Sequence, residues 1–111
     1  FTINENCYSC HAEKRGPFLW EHQPASEDCT LCHNVHGSNH PALLNKPGPQ
    51  LCQQCHSAQA GGSARTHIGR FLDYGNASDP GVNRFTVASN CANCHSKVHG
   101  SNHPSGPKLQ R

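Results

Sequence analysis

This chain of 111 residues contains no methionine, a single tryptophan and only 33% hydrophobic residues. A chain so short and so poor in aliphatic and aromatic side chains cannot build an apolar core of ordinary size, so something other than side chains must fill its interior. No window approaches the roughly 20 apolar residues of a membrane-spanning helix; the longest apolar patches are Phe18-Leu19-Trp20 and Ala42-Leu43-Leu44. Basic runs are lacking too, which argues against a nucleic-acid partner. The start, Phe1-Thr2-Ile3-Asn4, has no charged leader or long apolar stretch and reads as a mature or trimmed chain. No cysteine lies outside a Cys-x-x-Cys-His copy, so none is left for a structural disulfide or a catalytic thiol.

What the chain has is histidine and cysteine in fixed register. Cys7-Tyr8-Ser9-Cys10-His11, Cys29-Thr30-Leu31-Cys32-His33, Cys52-Gln53-Gln54-Cys55-His56 and Cys91-Ala92-Asn93-Cys94-His95 use all eight cysteines. A zinc ligand pair, a redox disulfide or a disulfide framework would each account for Cys-x-x-Cys but not for the histidine that follows. With 10 histidines in 111 residues, four such placements by chance have a probability on the order of 10⁻⁴, whereas c-type haem attachment requires them. Four haem c groups are expected, joined through Cys7, Cys10, Cys29, Cys32, Cys52, Cys55, Cys91 and Cys94, with His11, His33, His56 and His95 as proximal ligands. The porphyrins would supply the missing buried surface, and the haem-free chain is expected to be largely unfolded. The formal charge of +2 becomes about −2 with four ferric haems and about −6 with four ferrous ones, because the metal centre and its propionates enter the count.

The expected fold is a small multihaem c-type cytochrome: mostly irregular coil with short α-helices around a chain of four haems, and no significant β-sheet. Asn6, Asp28 and Asn90 each precede a motif and are read as caps of its helical turn, while Leu51 breaks the pattern with Pro49 nearby. Gly16-Pro17 marks a turn, and Phe18-Leu19-Trp20 is placed against a porphyrin face or edge. The link from His11 to His22 is long enough to round a haem edge and return an imidazole to the far face of the iron. His36 follows His33 too closely to wrap its own ring, so it is read as reaching a neighbouring haem; His40 competes with it. Residues 52–111 repeat this order, with His67 following His56 at the interval that separates His22 from His11, and His99 and His103 in the places of His36 and His40. Residues 1–111 are therefore one domain built as two dihaem repeats, 1–51 and 52–111. The connection from Asp73 to Asn90 reads as a solvated loop, in preference to glycosylation at Asn76-Ala77-Ser78 or cation binding by Asp73, Asn76 and Asp79. Residues 104–111 read as an extended tail.

Six further histidines serve four distal positions, and with methionine absent a fully bis-histidine, low-potential set is expected. Such irons have no open coordination site, which favours electron transfer over catalysis. The alternative is a small multihaem reductase of nitrogen or sulfur oxyanions, which needs one five-coordinate haem. The motifs start at Cys7, Cys29, Cys52 and Cys91, so close along the chain that electrons could hop between closely spaced haems.

The run Cys7 to Pro17, the Trp20-Glu21-His22 step, the run Pro49 to His56, and Cys94-His95 followed by Val98-His99-Gly100-Ser101-Asn102-His103-Pro104-Ser105-Gly106 closely resemble the C-terminal part of the MtrA/DmsE decahaem cytochromes. The resemblance spans nearly the whole chain. It implies bis-histidine haems in a staggered chain with little regular secondary structure, and a route for electrons from the periplasm through an outer-membrane porin to extracellular acceptors. It implies His22, His36, His67 and His99 as distal ligands and leaves His40 and His103 as extras. Export to the periplasm, outer membrane or cell exterior follows from it, with other multihaem cytochromes and a porin as redox partners. The chain matches four of the family's ten haems. It thus reads as a fragment, as a small periplasmic shuttle, or as a subunit that self-assembles end to end into a filament.

Overall fold

The computed structural model describes residues 2–56 and 89–111. Its regular elements are short: α1 (Ile3–Tyr8), β1 (Trp20–Glu21), α2 (Gln23–Glu27), α3 (Gly48–Gln53) and β2 (Gly100–Ser101), with single 3₁₀ turns at Ala12–Lys14, Cys29–Leu31, Pro41–Leu43 and Cys91–Asn93. Coil with short helices and little sheet is what the sequence led one to expect. His67, the loop from Asp73 and the Asn76 sequon lie outside the described residues.

Among the described residues no apolar side chain is buried, and Ile3, Leu19, Leu31 and Val35 are each more than half exposed. The buried side chains are polar instead. Asn4, on α1, donates through Nδ2 to the Ser26 carbonyl at 3.1 Å and accepts the Cys29 N–H on Oδ1 at 2.8 Å. One amide thus ties the first motif to the start of the second. Ser101 hydroxyl donates to the Arg111 carbonyl and accepts the His103 N–H at 3.1 Å.

Three local expectations give way to other arrangements. Asn6 is not a cap: α1 begins earlier, with the Thr2 hydroxyl accepting the Glu5 N–H at 3.3 Å, so Asn6 lies inside the helix. Phe18-Leu19-Trp20 docks on protein, against the turn after the last motif. β1 pairs antiparallel with β2, Trp20 opposite Ser101 and Glu21 opposite Gly100. Leu19 N–H donates to Asn102 Oδ1 and Trp20 Nε1 to the His103 carbonyl, both at 2.9 Å. Gly100 sits at φ +140, and a methyl group there would collide with the Phe18 ring; the glycine is what lets the aromatic lie on the backbone.

The tail, third, is folded back. Lys97 N–H donates to the Leu109 carbonyl at 2.9 Å and Gly106 N–H to the His103 carbonyl at 3.0 Å. This copies the end of the second motif. There Asn34 N–H donates to the Leu43 carbonyl at 2.8 Å, Ser38 hydroxyl donates to the Leu44 carbonyl and accepts the His40 N–H, and Ala42 and Leu43 share the positive φ of Leu109. Lys108-Leu109 therefore does what Ala42-Leu43 does, although the two stretches share little but a leucine.

Candidate functional site

All four Cys-x-x-Cys-His segments adopt the same single turn. The second cysteine and the histidine both donate their N–H to the carbonyl of the first cysteine, the histidine at 2.9 Å for His11, 3.0 Å for His33, 2.9 Å for His56 and 2.8 Å for His95. Residues at i, i+3 and i+4 of such a turn share one face. Two thiols and an imidazole are thereby presented together, as covalent attachment plus axial ligation requires. Asp28 and Asn90 cap their turns as expected, accepting from Thr30 N–H at 2.8 Å and Ala92 N–H at 3.1 Å. Hydrogen bonds from the Thr30 hydroxyl and N–H hold the Asp28 carboxyl below its ordinary pKa. The first and third turns instead continue α1 and α3.

The thiols follow one another in space as in sequence. Burial, then Cys7 beside it, pushes the Cys29 thiol up; burial, then Cys55, does so for Cys32; and burial, then Cys91 and Cys32, takes Cys52 up to about 11. Motif one thus borders two, two borders three, and three borders four.

The histidines form pairs. His22 and His56 have ring centroids 6.1 Å apart with planes within 21° of parallel, and His33 and His99 have centroids 6.2 Å apart with planes within 11°. Two imidazoles bonded to opposite sides of one metal at about 2 Å through a ring nitrogen have centroids roughly 6 Å apart. The sequence reading returned His22 to the iron of His11; the structure sets it against His56. His99 faces His33, so both pairs join residues 1–51 to residues 52–111.

In His22, His33 and His95 the free nitrogen is defined by the bonded one. Nδ1 lies 2.9 Å from the Val98 carbonyl in His22, 2.7 Å from the Ala42 carbonyl in His33 and 2.6 Å from the Lys108 carbonyl in His95. A carbonyl only accepts, so Nδ1 carries the proton and the Nε2 lone pair is left for a metal. Burial, followed by the Lys14 charge and by His33 and His22, lowers the pKa of His99 and favours the neutral ring that a metal needs. His103 shows the opposite tautomer: its Nδ1 accepts the Ser105 N–H at 3.0 Å, which puts the proton of the neutral ring on Nε2. That fits its reading as an extra.

His11 and His36 are exposed, and neither faces another imidazole among the described residues. His36 lines a cavity of about 460 Å³ with Ile3, His33 and Val35. The anchoring carbonyls of Ala42, Val98 and Lys108 escaped the sequence reading. Their only signal was the leucine after the first and last of them, since any residue supplies a carbonyl.

These donors fit haem c: paired thiols on one face of a turn, near-parallel imidazole pairs in which His22 and His33 have Nε2 available, and, among the described residues, no apolar core to occupy the space a porphyrin would fill.

Comparison with known proteins agrees. The doubled CXXCH motif family matches residues 22–61. The chain is 56% identical over 110 residues to the multiheme cytochrome MtrA of Shewanella baltica (strain OS185), an alignment covering 99% of this chain. The chain spans about a third, 32%, of that relative's length. The likeness to MtrA read from the residues is thus shown along nearly the whole chain.

Proposed function

We propose, from a chain alike over nearly its whole length to a multihaem c-type cytochrome, that it transfers electrons through four closely spaced, covalently attached haems and performs no substrate chemistry. The carrying observation is the two imidazole pairs, His22 with His56 and His33 with His99, each with centroids at the span expected across a six-coordinate metal. A centre held between two histidines has no position for a substrate.

In this reading Cys7, Cys10, Cys29, Cys32, Cys52, Cys55, Cys91 and Cys94 hold the haems, and His11, His33, His56 and His95 are the proximal ligands. His22 and His99 are distal ligands, and His36 and His67 are assigned the same role by repetition. Haem supplies the one-electron Fe(III)/Fe(II) couple. The protein's part is to anchor Nδ1 of His22, His33 and His95 on carbonyls, which orients those rings and raises their basicity, and to keep successive attachment turns in contact. The chain is best described as two dihaem repeats, 1–51 and 52–111, linked by ligands that cross between them. Other multihaem cytochromes are the fitting partners, in respiration at or beyond the outer membrane, with an outer-membrane porin as the setting of the whole protein. Such a chain would be exported.

Protein-film voltammetry tests this. Reversible uptake of four electrons at the low potentials of bis-histidine haem, with no catalytic current when nitrite or sulfite is added, is the expected result. A catalytic current would establish the reductase instead.

A further inference from the structure

The first and third attachment turns each continue a helix, and each of those helices abuts the attachment turn that comes next. Between the first and second motifs a side chain makes the contact. Asn4 and Cys7 lie three residues apart on α1 and so share one face of it. Asn4 is only 5% exposed, and its amide serves two backbone groups of the second motif's approach: Nδ2 donates to the Ser26 carbonyl on α2, and Oδ1 accepts the Cys29 N–H that opens the attachment turn. That N–H has no partner within its own turn, as holds for the first donors of any helix. Asp28, the cap, is turned to the N–H and hydroxyl of Thr30 instead. The Cys29 thiol also lies beside that of Cys7, first cysteine beside first cysteine. Between the third and fourth motifs the approach is made at a glycine: a methyl group on Gly48, at the start of α3, would run into the Asn90 side chain that caps the last turn, and the Cys52 thiol lies beside that of Cys91.

We propose that Asn4 is a positioning residue for electron exchange between the first two haems, its amide fixing the Cys7/Cys10 attachment turn against the Cys29/Cys32 turn. The inference rests on the four-haem reading proposed above and goes beyond it by assigning the spacing of one pair to one side chain. A haem bonded to two cysteines and a histidine of a single turn moves with that turn, so the distance between two turns governs the distance between their haems. Electron exchange falls steeply with that distance, and a rate that depends on fixed geometry needs its groups held by packed or hydrogen-bonded neighbours. Apolar packing does not supply them: among the described residues no apolar side chain is buried, and Ile3, next to Asn4, is 51% exposed. The ion pair of Arg15 with Glu5 and the placing of Arg15 over the Tyr8 ring secure α1 to the turn that follows it, not to the second motif. Asn4 therefore occupies the place of a core residue between two attachment turns, with two hydrogen bonds where apolar contacts would ordinarily be.

The test compares the haem-loaded chain with its Asn4→Leu variant, which keeps the size of the side chain and removes both hydrogen bonds. In half-reduced samples, exchange broadening of the haem methyl signals in paramagnetic NMR reports electron exchange pair by pair. Asn4→Leu should slow exchange between the Cys7/Cys10 and Cys29/Cys32 haems severalfold and leave exchange between the last two haems unchanged. Electron paramagnetic resonance should find the spin state of every iron as it was. In the unaltered chain the Cys29 N–H should be protected from exchange with solvent, a measurement that stands even if the variant fails to mature. The inference is overturned if the first pair exchanges electrons as before, if both pairs slow alike, if an iron changes spin state, or if the Cys29 N–H exchanges freely. Failure of the electron-transfer reading would show differently, as absent exchange or a catalytic current in the unaltered chain.

Discussion

Replacing His22 by alanine should open one iron completely, and it should be the iron of His56, in the other repeat, and not that of His11. The imidazole lies 6.1 Å from that of His56, near-parallel to it and fixed through Nδ1 on Val98. An alanine leaves no replacement donor on that face. One low-spin bis-histidine signal per chain should be lost, a high-spin signal should take its place, and carbon monoxide should bind the reduced form at that iron. His22→Met should restore a six-coordinate iron at a higher potential, because methionine opposite histidine favours the ferrous state. Magnetic circular dichroism counts the bis-histidine irons, and paramagnetic NMR identifies the one changed. Conversion at the Cys7/Cys10 haem would contradict the pairing.

This pairing was out of reach of the sequence for a physical reason. Spacing along the chain places His22 near His11, because the link between them suffices to round a porphyrin edge. The place of the His22 ring beside His56 is decided by β1 meeting β2, a contact between distant parts of the chain made by a very short strand whose only signals are Trp20 and the Gly-Ser-Asn-His turn. Local chemistry was legible where it is local: the four attachment turns follow from Cys-x-x-Cys-His alone, and Asp28 and Asn90 cap as short polar side chains do. Asn6 failed as a cap because Thr2 offered a hydroxyl one turn earlier and Glu5 suits a first turn, so α1 started sooner. The tail was illegible because its partners are backbone groups: His95 bonds the Lys108 carbonyl, a service that leaves no mark on residue type.

Made without its haems, the chain should not fold. The described residues bury no apolar side chain, and the two polar ones they do bury are Asn4 and Ser101. Hydrogen bonds each add a net stabilisation of only about 1 kcal/mol, while ordering each residue costs roughly 1–2 kcal/mol of backbone entropy. Without porphyrin surface to remove from water, nothing offsets that cost. With its thiols kept reduced, the haem-free chain is expected to give a coil-like far-ultraviolet circular dichroism spectrum and to warm without a cooperative transition. The loaded chain should melt cooperatively. A haem-free chain with native-like secondary structure and a sharp melting transition would show that the polypeptide carries its own core.

The central claim is that the four attachment turns hold haem c and that histidines from one repeat complete the irons of the other. Low-temperature electron paramagnetic resonance on the oxidised chain, with haem quantitation on the same sample, tests it most directly. The account predicts four covalent haems per chain, with the irons of His33 and His56 among low-spin bis-histidine signals. Fewer than four haems, or high-spin signals from those two irons, would contradict it, and open irons at those positions would put the reductase reading first.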